Sequence, residues 1–491
     1  DRLRSRGLGD VYKRQVHKVG IMAGYSWEER VNNDGFGLTV HNFFDDKLKW
    51  NQLSYAGTID GMKGVESGTK ETIRNISFYG RLSYSYDSRY MLQATIRRDG
   101  SSVFGDGHQW GYFPSISGAW NITEEKFMEG LKESLSLSNL KLRIGYGVSG
   151  NALGFGAYSA VATYGANGTI ISIGGKDYPT LVSTKLANPD LKWEKTGMLN
   201  IGLDYAFFNG RLNGSIEYYN KVTKDLIWNY PVTSFLYPFS TISANVGEIT
   251  NRGIEISINA IPVQNKNFTW TTTLNLSHNK NKVNKLTNEK FSTASFTQGD
   301  PMVAGVSAEG YTQQIMEGEP LGTFFTYEFA GYDEDGTSVY YEHDAETGAR
   351  TGTTTKAPKF KDRAVTGCAQ PKLNMGWNNT FSYKNWSASF FFTGVFGNKI
   401  YNGLRAHYTA PDFFAGGKNV LKEFITERPA TDKSSNVPSD KFIENGSYVR
   451  LQNLTLGYTF RNLDGWLNSL QLYVTANNPV SYTHLTLPTI A

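Results

Sequence analysis

Leu199, Ile201, Leu203, Tyr205 and Phe207 alternate with Asn200, Gly202, Asp204 and Ala206, the period of two that gives a strand one apolar and one polar face. Asn209-Gly210 supplies a turn. Leu212, Gly214, Ile216 and Tyr218 then alternate with Asn213, Ser215, Glu217 and Tyr219, so Asn188–Ile227 is organised around a long hairpin. Its polar face carries Asp204 and Glu217. A dry core would not accept these carboxylates unpaired, whereas a water-filled lumen would, with the opposite face meeting lipid.

The same alternation predicts strands at Val16–Arg30, Arg74–Tyr86, Tyr90–Arg97, Tyr112–Asn121 and Leu140–Val148 before this hairpin. After it, Ile254–Ile258 and Trp270–Leu276 flank a turn at Gln264–Lys266, and Pro371–Tyr383 and Trp386–Phe396 flank Lys384-Asn385. Gly446–Phe460 and Leu470–Ala476 complete about thirteen strands. One short helix is predicted over Ile122–Ser138, with Asn121 and Glu124 as a capping pair and Phe127, Leu131 and Leu135 on one face. Arg98–Gly105 reads as a tight polar loop in which Gly100 supplies a positive φ. Trp228–Gly247, Asn281–Gln370 and Lys399–Asn445 read as longer loops. Asn281–Gln370 is too long for an ordinary connection and is expected to hold small local hairpins, for example around Asp333-Glu334-Asp335-Gly336. Short and long connections alternate strictly on this reading, as short inner turns and long outer loops do in outer-membrane barrels.

Composition narrows the class. Aromatics make up 14% and charged residues 19% of 491 residues, with 51 glycines, a mixture suited to β-structure. No run of about 18 apolar residues occurs, so the membrane-spanning option that remains is a barrel of alternating strands. A net charge of +4 does not argue for nucleic acid, and the single Cys368 excludes an internal disulfide framework.

Candidate chemistry is sparse. Gly147-Val148-Ser149-Gly150-Asn151 lacks the final glycine of a nucleophile elbow, and Gly174–Asp177 and Gly416–Asn419 lack the spacing of a phosphate loop. Asp333–Gly336 resembles part of a calcium loop without its later ligands. His17, His41, His108, His278, His343 and His407 are scattered. No catalytic residue, metal or cofactor is therefore expected. The loop aromatics are the candidate ligand-binding residues: Trp228, Tyr230, Phe235, Tyr237 and Phe239 in or beside one loop, and Tyr401, Tyr408, Phe413 and Phe414 in another. Flat rings stack on sugars, and the competing role is to pack the loops or form an interfacial girdle.

The ends read differently from the middle. Residues 5–15, SRGLGDVYKRQ, and residues 480–489, VSYTHLTLPT, translate the two strands of a transposon-end sequencing adapter in frame. Residues 1–15 and 479–491 are thus expected to be non-native flanks that add no barrel strand, leaving 16–478 as the natural segment.

Several segments, in order, resemble one family. Arg97–Phe113, Leu140–Asn151, the Asn188–Ile227 hairpin, Asn245–Glu255, Glu317–Gly331 and Phe442–Gly457 are similar to the SusC/RagA family of TonB-dependent outer-membrane transporters, a resemblance that covers essentially all of 16–478. It implies a transmembrane antiparallel barrel of about 22 strands with an N-terminal plug and TonB box, placed in the Gram-negative outer membrane. It also implies active import of glycans or other oligomeric nutrients, an oligosaccharide or peptide, with a SusD-like surface lipoprotein and the TonB complex as partners. Parity of strand direction then asks for an even number of further strands before Val16, about eight, and an odd number, one, after Asn478. The alternative is a passive porin-like or adhesive outer-membrane barrel, which needs neither plug nor energy coupling.

Overall fold

The computed structural model describes residues 16–32, 36–38, 65–67, 71–152, 156–232, 241–290, 293, 295–298, 311–410, 416–426, 437–461 and 467–483. Thirteen antiparallel strands form one sheet, each paired with its sequence neighbour along the wall. They are β1 (His17–Asn32), β2 (Glu71–Tyr86), β3 (Tyr90–Ser101), β4 (Trp110–Asn121), β5 (Leu137–Asn151), β6 (Glu194–Phe207) and β7 (Leu212–Pro231). There follow β8 (Thr241–Gln264), β9 (Phe268–Lys285), β10 (Leu373–Tyr383), β11 (Trp386–Phe396), β12 (Tyr448–Arg461) and β13 (Ser469–Thr483). β1 and β13 are the two edges of this sheet.

Pairing in register turns the alternation within each strand into rows across the wall. Leu142, Leu203, Ile216, Ile256, Leu276 and Met375 are paired in series from β5 to β10. One residue along, Arg143, Gly202, Glu217, Glu255, Ser277 and Asn374 form the matching row on the other face. The first row is the lipid face and the second the lumen face. Aromatic pairs gather at the ends of the short turns: Tyr86 with Tyr90, Phe207 with Phe208, Trp270 with Phe381, and Trp386 with Tyr458. Rings at this level form the inner aromatic girdle. The turns take left-handed backbone where expected, at Asp87 and Ser88 (φ 49° and 58°) and at Phe208, Asn209 and Gly210 (φ 54°, 55° and 81°).

Five expectations need correction, four of them in the wall. Trp228–Gly247 is not one loop, because β7 runs on to Pro231 and β8 begins at Thr241, where Ile242, Ala244 and Val246 alternate with Thr241, Ser243 and Asn245 and turn one apolar face inward. The alternation of long and short connections is not strict. Residues 122–136 on the inner side outnumber residues 102–109 on the outer side. Gly100 lies extended within β3 and is absent from the positive-φ residues; what it provides is room, since a Cβ there would meet the Trp110 ring at 2.9 Å. Finally, β13 runs through Thr483, with Val480–Thr483 paired to Leu451–Tyr448 beyond an irregularity at Leu451/Asn453. Val-Ser-Tyr-Thr has strong strand propensity and continues an existing ladder.

The predicted helix is also shorter than expected. Two 3₁₀ turns, Ile122–Glu124 and Lys126–Met128, precede α1 (Glu129–Leu135), and Asn121 makes no side-chain cap bond. Glu125 between them is extended, its carboxylate accepting hydrogen bonds from the Tyr90 hydroxyl (2.5 Å) and Trp120 Nε1 (3.0 Å), which breaks the helix before α1. Phe127, Leu131 and Leu135 are exposed rather than packed on a protein core.

The long outer connections carry their own small sheets. Ser295–Gln298, Gln313–Met316, Thr323–Tyr327 and Arg363–Cys368 form one, and Phe329–Tyr332, Ser338–His343 and Arg350–Thr355 another. The expected hairpin around Asp333–Gly336 is present, with Gly336 at φ 77°. Lys399–Tyr401 and Ile443–Asn445 pair within the last long connection.

Candidate transport lumen and outer rim

On the lumen face the hairpin's two carboxylates share one cation. Arg143 donates from Nε and Nη2 to Asp204 (2.9 and 2.7 Å) and from Nη2 to Glu217 (2.8 Å). Gly202, directly opposite Arg143, makes this possible: a Cβ would sit 2.9 Å from Nη2. Around the cluster Asn200 and Tyr219 continue the polar surface, with the Tyr219 hydroxyl donating to Asn279 (3.0 Å). A lumenal groove of about 730 Å³ is lined by Lys18, Gln93, Ser117, Arg143 and Asn200 among others. Such a wall can pass hydrated, hydrogen-bonding solutes along a file of amide, hydroxyl and charged groups.

Above the lumen, three segments far apart in sequence lock together. Val103, Phe104, Phe113, Leu191 and Trp193 are buried with Ile73, Ala157 and Ala160 in one cluster. The Trp193 ring lies 4.9 Å from Phe104 and 5.3 Å from Phe113, and its Nε1 donates to the Gln109 carbonyl (2.9 Å). Gly105 packs so tightly on Pro189 that a Cβ would fall 1.9 Å from its carbonyl oxygen. Asn245 completes the junction. Its Nδ2 donates to the Lys192 and Asp225 carbonyls (2.8 Å each) and its Oδ1 accepts from the Lys192 N–H (2.9 Å). Asp225 is left-handed (φ 56°) within the irregularity of β7 between Thr223 and Leu226, so Asn245 holds a bulge and a loop at once. Asn188 adds a bond to the Ser243 carbonyl (2.7 Å).

The two longest outer connections are clasped to each other. Tyr327 bridges Ser439 and donates its N–H to the Pro438 carbonyl (2.9 Å). The Phe329 N–H donates to Asp440 Oδ1 (2.8 Å), and Lys441 Nζ donates to the Tyr332 hydroxyl (2.7 Å). Burial raises the Asp440 carboxyl above its ordinary range. Beside the clasp, Glu328 binds Arg350 through two bonds of 2.8 Å and His343 Nε2 at 2.9 Å, and the Arg350 guanidinium foremost holds the Glu328 carboxyl below the usual range.

The candidate aromatics separate on this frame. Tyr230 is 1% exposed, donates its hydroxyl to the Leu286 carbonyl (2.8 Å) and meets Phe296 edge-on. Trp228 is half-buried and stacks on Phe296 at 5.3 Å, so these two share one ring partner. Tyr401 lies edge-on to Phe442 (6.1 Å) with its hydroxyl enclosed, and burial pushes its phenol well above the ordinary value. Tyr408 is half-buried next to His407. Phe235, Tyr237, Phe239, Phe413 and Phe414 lie outside the described residues. At Asp333 and Asp335, the Lys356 ammonium pairs with both carboxylates, and among the described residues no group of three or more His, Cys, Asp or Glu could hold a metal. Sequence reading missed Arg143 as the hairpin's counter-ion and Asn245 as the rim's staple.

A one-sided apolar wall, a polar lumen face, short inner turns and folded outer loops define a large outer-membrane β-barrel protein. The chain belongs to the TonB-dependent receptor family: residues 6–478 match the model described as TonB dependent receptor-like, beta-barrel. A TonB-dependent receptor of Formosa agariphila is 31% identical over 498 residues, covering 95% of this chain and 46% of that protein. TonB-dependent receptor SusC of Bacteroides thetaiotaomicron is 31% identical over 479 residues, covering 95% and 44%. The chain thus spans about half the length of the curated relatives it matches. The fold is shared with a solved structure of the RagAB peptide transporter, at a TM-score of 0.78 and 23% identity over 96% of this chain and 50% of that one.

Proposed function

We propose that this chain is the barrel segment of a longer SusC-like receptor that imports oligomeric nutrients, glycan or peptide, by TonB-coupled active transport beneath a SusD-like lipoprotein. The observation that supports this reading best is the clasp between the two longest outer loops, which gives a broad, folded rim on which a lid can seat. A passive pore does not require such a platform above its mouth. Residues 1–15 and 479–491 remain proposed as foreign to the natural receptor. Trp228 and Tyr408, with Phe235, Tyr237 and Phe239, are proposed as ligand contacts, while Tyr230 and Tyr401 serve as scaffold. The test is uptake of labelled oligosaccharides and peptides by cells producing the full-length receptor, with and without TonB. Uptake that persists without TonB rejects active import in favour of a passive pore. Purification of the receptor alone, under conditions that preserve membrane complexes, rejects the lipoprotein lid.

A further inference from the structure

Two neighbouring arginines on β3 point to opposite faces of the wall. Arg97 turns into the lumen and is neutralised by Asp99 through bonds of 2.7 and 2.8 Å. Arg98 pairs in register with Phe78 on β2 and Tyr112 on β4, on the same face as Ile96, Leu92 and Ile116, and is therefore presented to lipid. No carboxylate among the described residues forms an ion pair with it. Its guanidinium instead lies over two rings, 4.3 Å from the Trp110 centroid and 5.4 Å from that of Tyr112.

The rings belong to a continuous plate. Tyr25 meets Phe78 at 5.2 Å and Phe78 stacks on Trp110 at 6.3 Å, while Trp110 and Tyr112 are 39% and 55% exposed. Height on the wall fixes what this plate faces. From Tyr90 in the inner girdle to Arg98 is eight residues along β3, which at about 3.3 Å each and a tilt of about 40° is roughly 20 Å, close to the roughly 25 Å of the apolar band. Arg98 therefore stands where hydrocarbon gives way to outer-leaflet headgroups. A guanidinium stacked by one face keeps its N–H edge free and its rotamers restricted, the state in which it binds a phosphate through paired hydrogen bonds. By contrast Arg74, next on the same face toward the rim, is occupied by Glu29 at 2.7 Å.

We propose that Arg98, held on the Trp110–Tyr112 plate, is a binding site for the phosphate of an outer-leaflet glycolipid headgroup. The acyl chains would lie along Ile96, Leu92 and Ile116 below it. The site is independent of what the receptor imports.

Native mass spectrometry of the full-length receptor in mild detergent tests this with three probes: lipid A carrying both phosphates, the same lipid with both removed, and inorganic phosphate. The wild-type receptor is expected to bind the phosphorylated lipid about tenfold more tightly than the dephosphorylated one. Arg98→Gln is expected to abolish that difference by weakening only the phosphorylated lipid. Trp110→Leu, which keeps the charge and removes its support, is expected to lose about threefold, and it serves as the second variant if Arg98→Gln does not assemble. Heat-modifiable migration in gels verifies that each variant is folded. Equal binding of both lipids by the wild-type receptor, or undiminished preference in a folded Arg98→Gln variant, overturns the proposal. Saturation by inorganic phosphate at micromolar concentration that displaces the phosphorylated lipid and is lost in Arg98→Gln assigns the site to free phosphate and overturns the assignment to a headgroup.

Discussion

Asn245→Ala isolates the rim junction. The substitution deletes two donors and one acceptor, leaving the Lys192 carbonyl, the Asp225 carbonyl and the Lys192 N–H without their partner. Each neutral hydrogen bond contributes about 1 kcal/mol net, and an unsatisfied part-buried group costs about as much, so the junction should lose about 2–3 kcal/mol. Asp225 makes the upper part of that range the better expectation, because its left-handed backbone is itself unfavourable by about 1 kcal/mol and depends on outside support. Hydrogen exchange reads the effect locally. The Lys192 amide donates straight to Asn245, and its exchange in the folded receptor should accelerate about 30- to 100-fold. Amides of β10 and β11, far along the wall, should not change. Asn245→Asp retains the acceptor for Lys192 but turns a carboxylate toward two carbonyls, and should destabilise the bulge at Asp225 at least as much as alanine does. A Lys192 amide that exchanges within threefold of wild type in Asn245→Ala would show that the loop is held by the Trp193 cluster alone and that the staple is superfluous.

Other outcomes follow from the same geometry. Arg143→Ala should destabilise the wall by about 2 kcal/mol in urea titrations of vesicle-reconstituted receptor, a value between those of exposed and buried pairs, and adding Asp204→Asn and Glu217→Gln should recover most of it. No loss in the single variant would mean that water already neutralises the cluster. Gly105→Ala, with its Cβ driven onto the Pro189 carbonyl, should cost about 2 kcal/mol or more and shift thermal unfolding downward; an unchanged midpoint contradicts the packing. Acid should loosen the outer clasp. The Glu328 carboxyl is held below its ordinary value, so its stabilisation is complete above the unfolded pKa of about 4.3 and is lost as pH falls through the lower folded value. Exchange protection of residues 323–343 should drop below about pH 4, a drop that Glu328→Gln reduces, the remainder belonging to Asp333 and Asp362, whose carboxyls are also held low; an undiminished drop in that variant would assign the effect elsewhere.

The strands were legible because lipid and lumen impose opposite demands on successive residues, and Leu199–Phe207 and Leu212–Tyr219 show that alternation on both arms of one hairpin. Above the membrane the signal is weaker. Ile242, Ala244 and Val246 do alternate with Thr241, Ser243 and Asn245, but Pro231–Phe239 just before them, rich in Pro and aromatics, makes the whole of Trp228–Gly247 read as a loop. The exposed face of Phe127, Leu131 and Leu135 was readable as a pattern but not as a helix of one length, since the break at Glu125 is set by Tyr90 and Trp120 on the wall. The rim junction was the least legible part. Asn245 meets Lys192 across 53 residues and Trp193 meets Gln109 across 84, and single amide side chains give no local signal of such reach. Segments recognised as family-like, Arg97–Phe113, Asn188–Ile227 and Asn245–Glu255, prove to be three sides of that one junction. Tyr230 and Tyr401 show the converse. An aromatic in a loop carries the same letter whether it stacks on a ligand or supports its neighbours.

The bridge between Tyr327 and Ser439, reinforced by Asp440 and Lys441, changes what counts as a replaceable part of this receptor. The two segments arise from different gaps in the wall, 286–372 and 397–447, yet residues 327–332 of one are held by residues 438–441 of the other. Grafting either one alone from a relative would leave the half-buried Asp440 carboxylate without an amide placed where that of Phe329 now stands. A chimaera that aims to change what the receptor admits should exchange both segments together, and sequence drift in one should be matched by drift in the other.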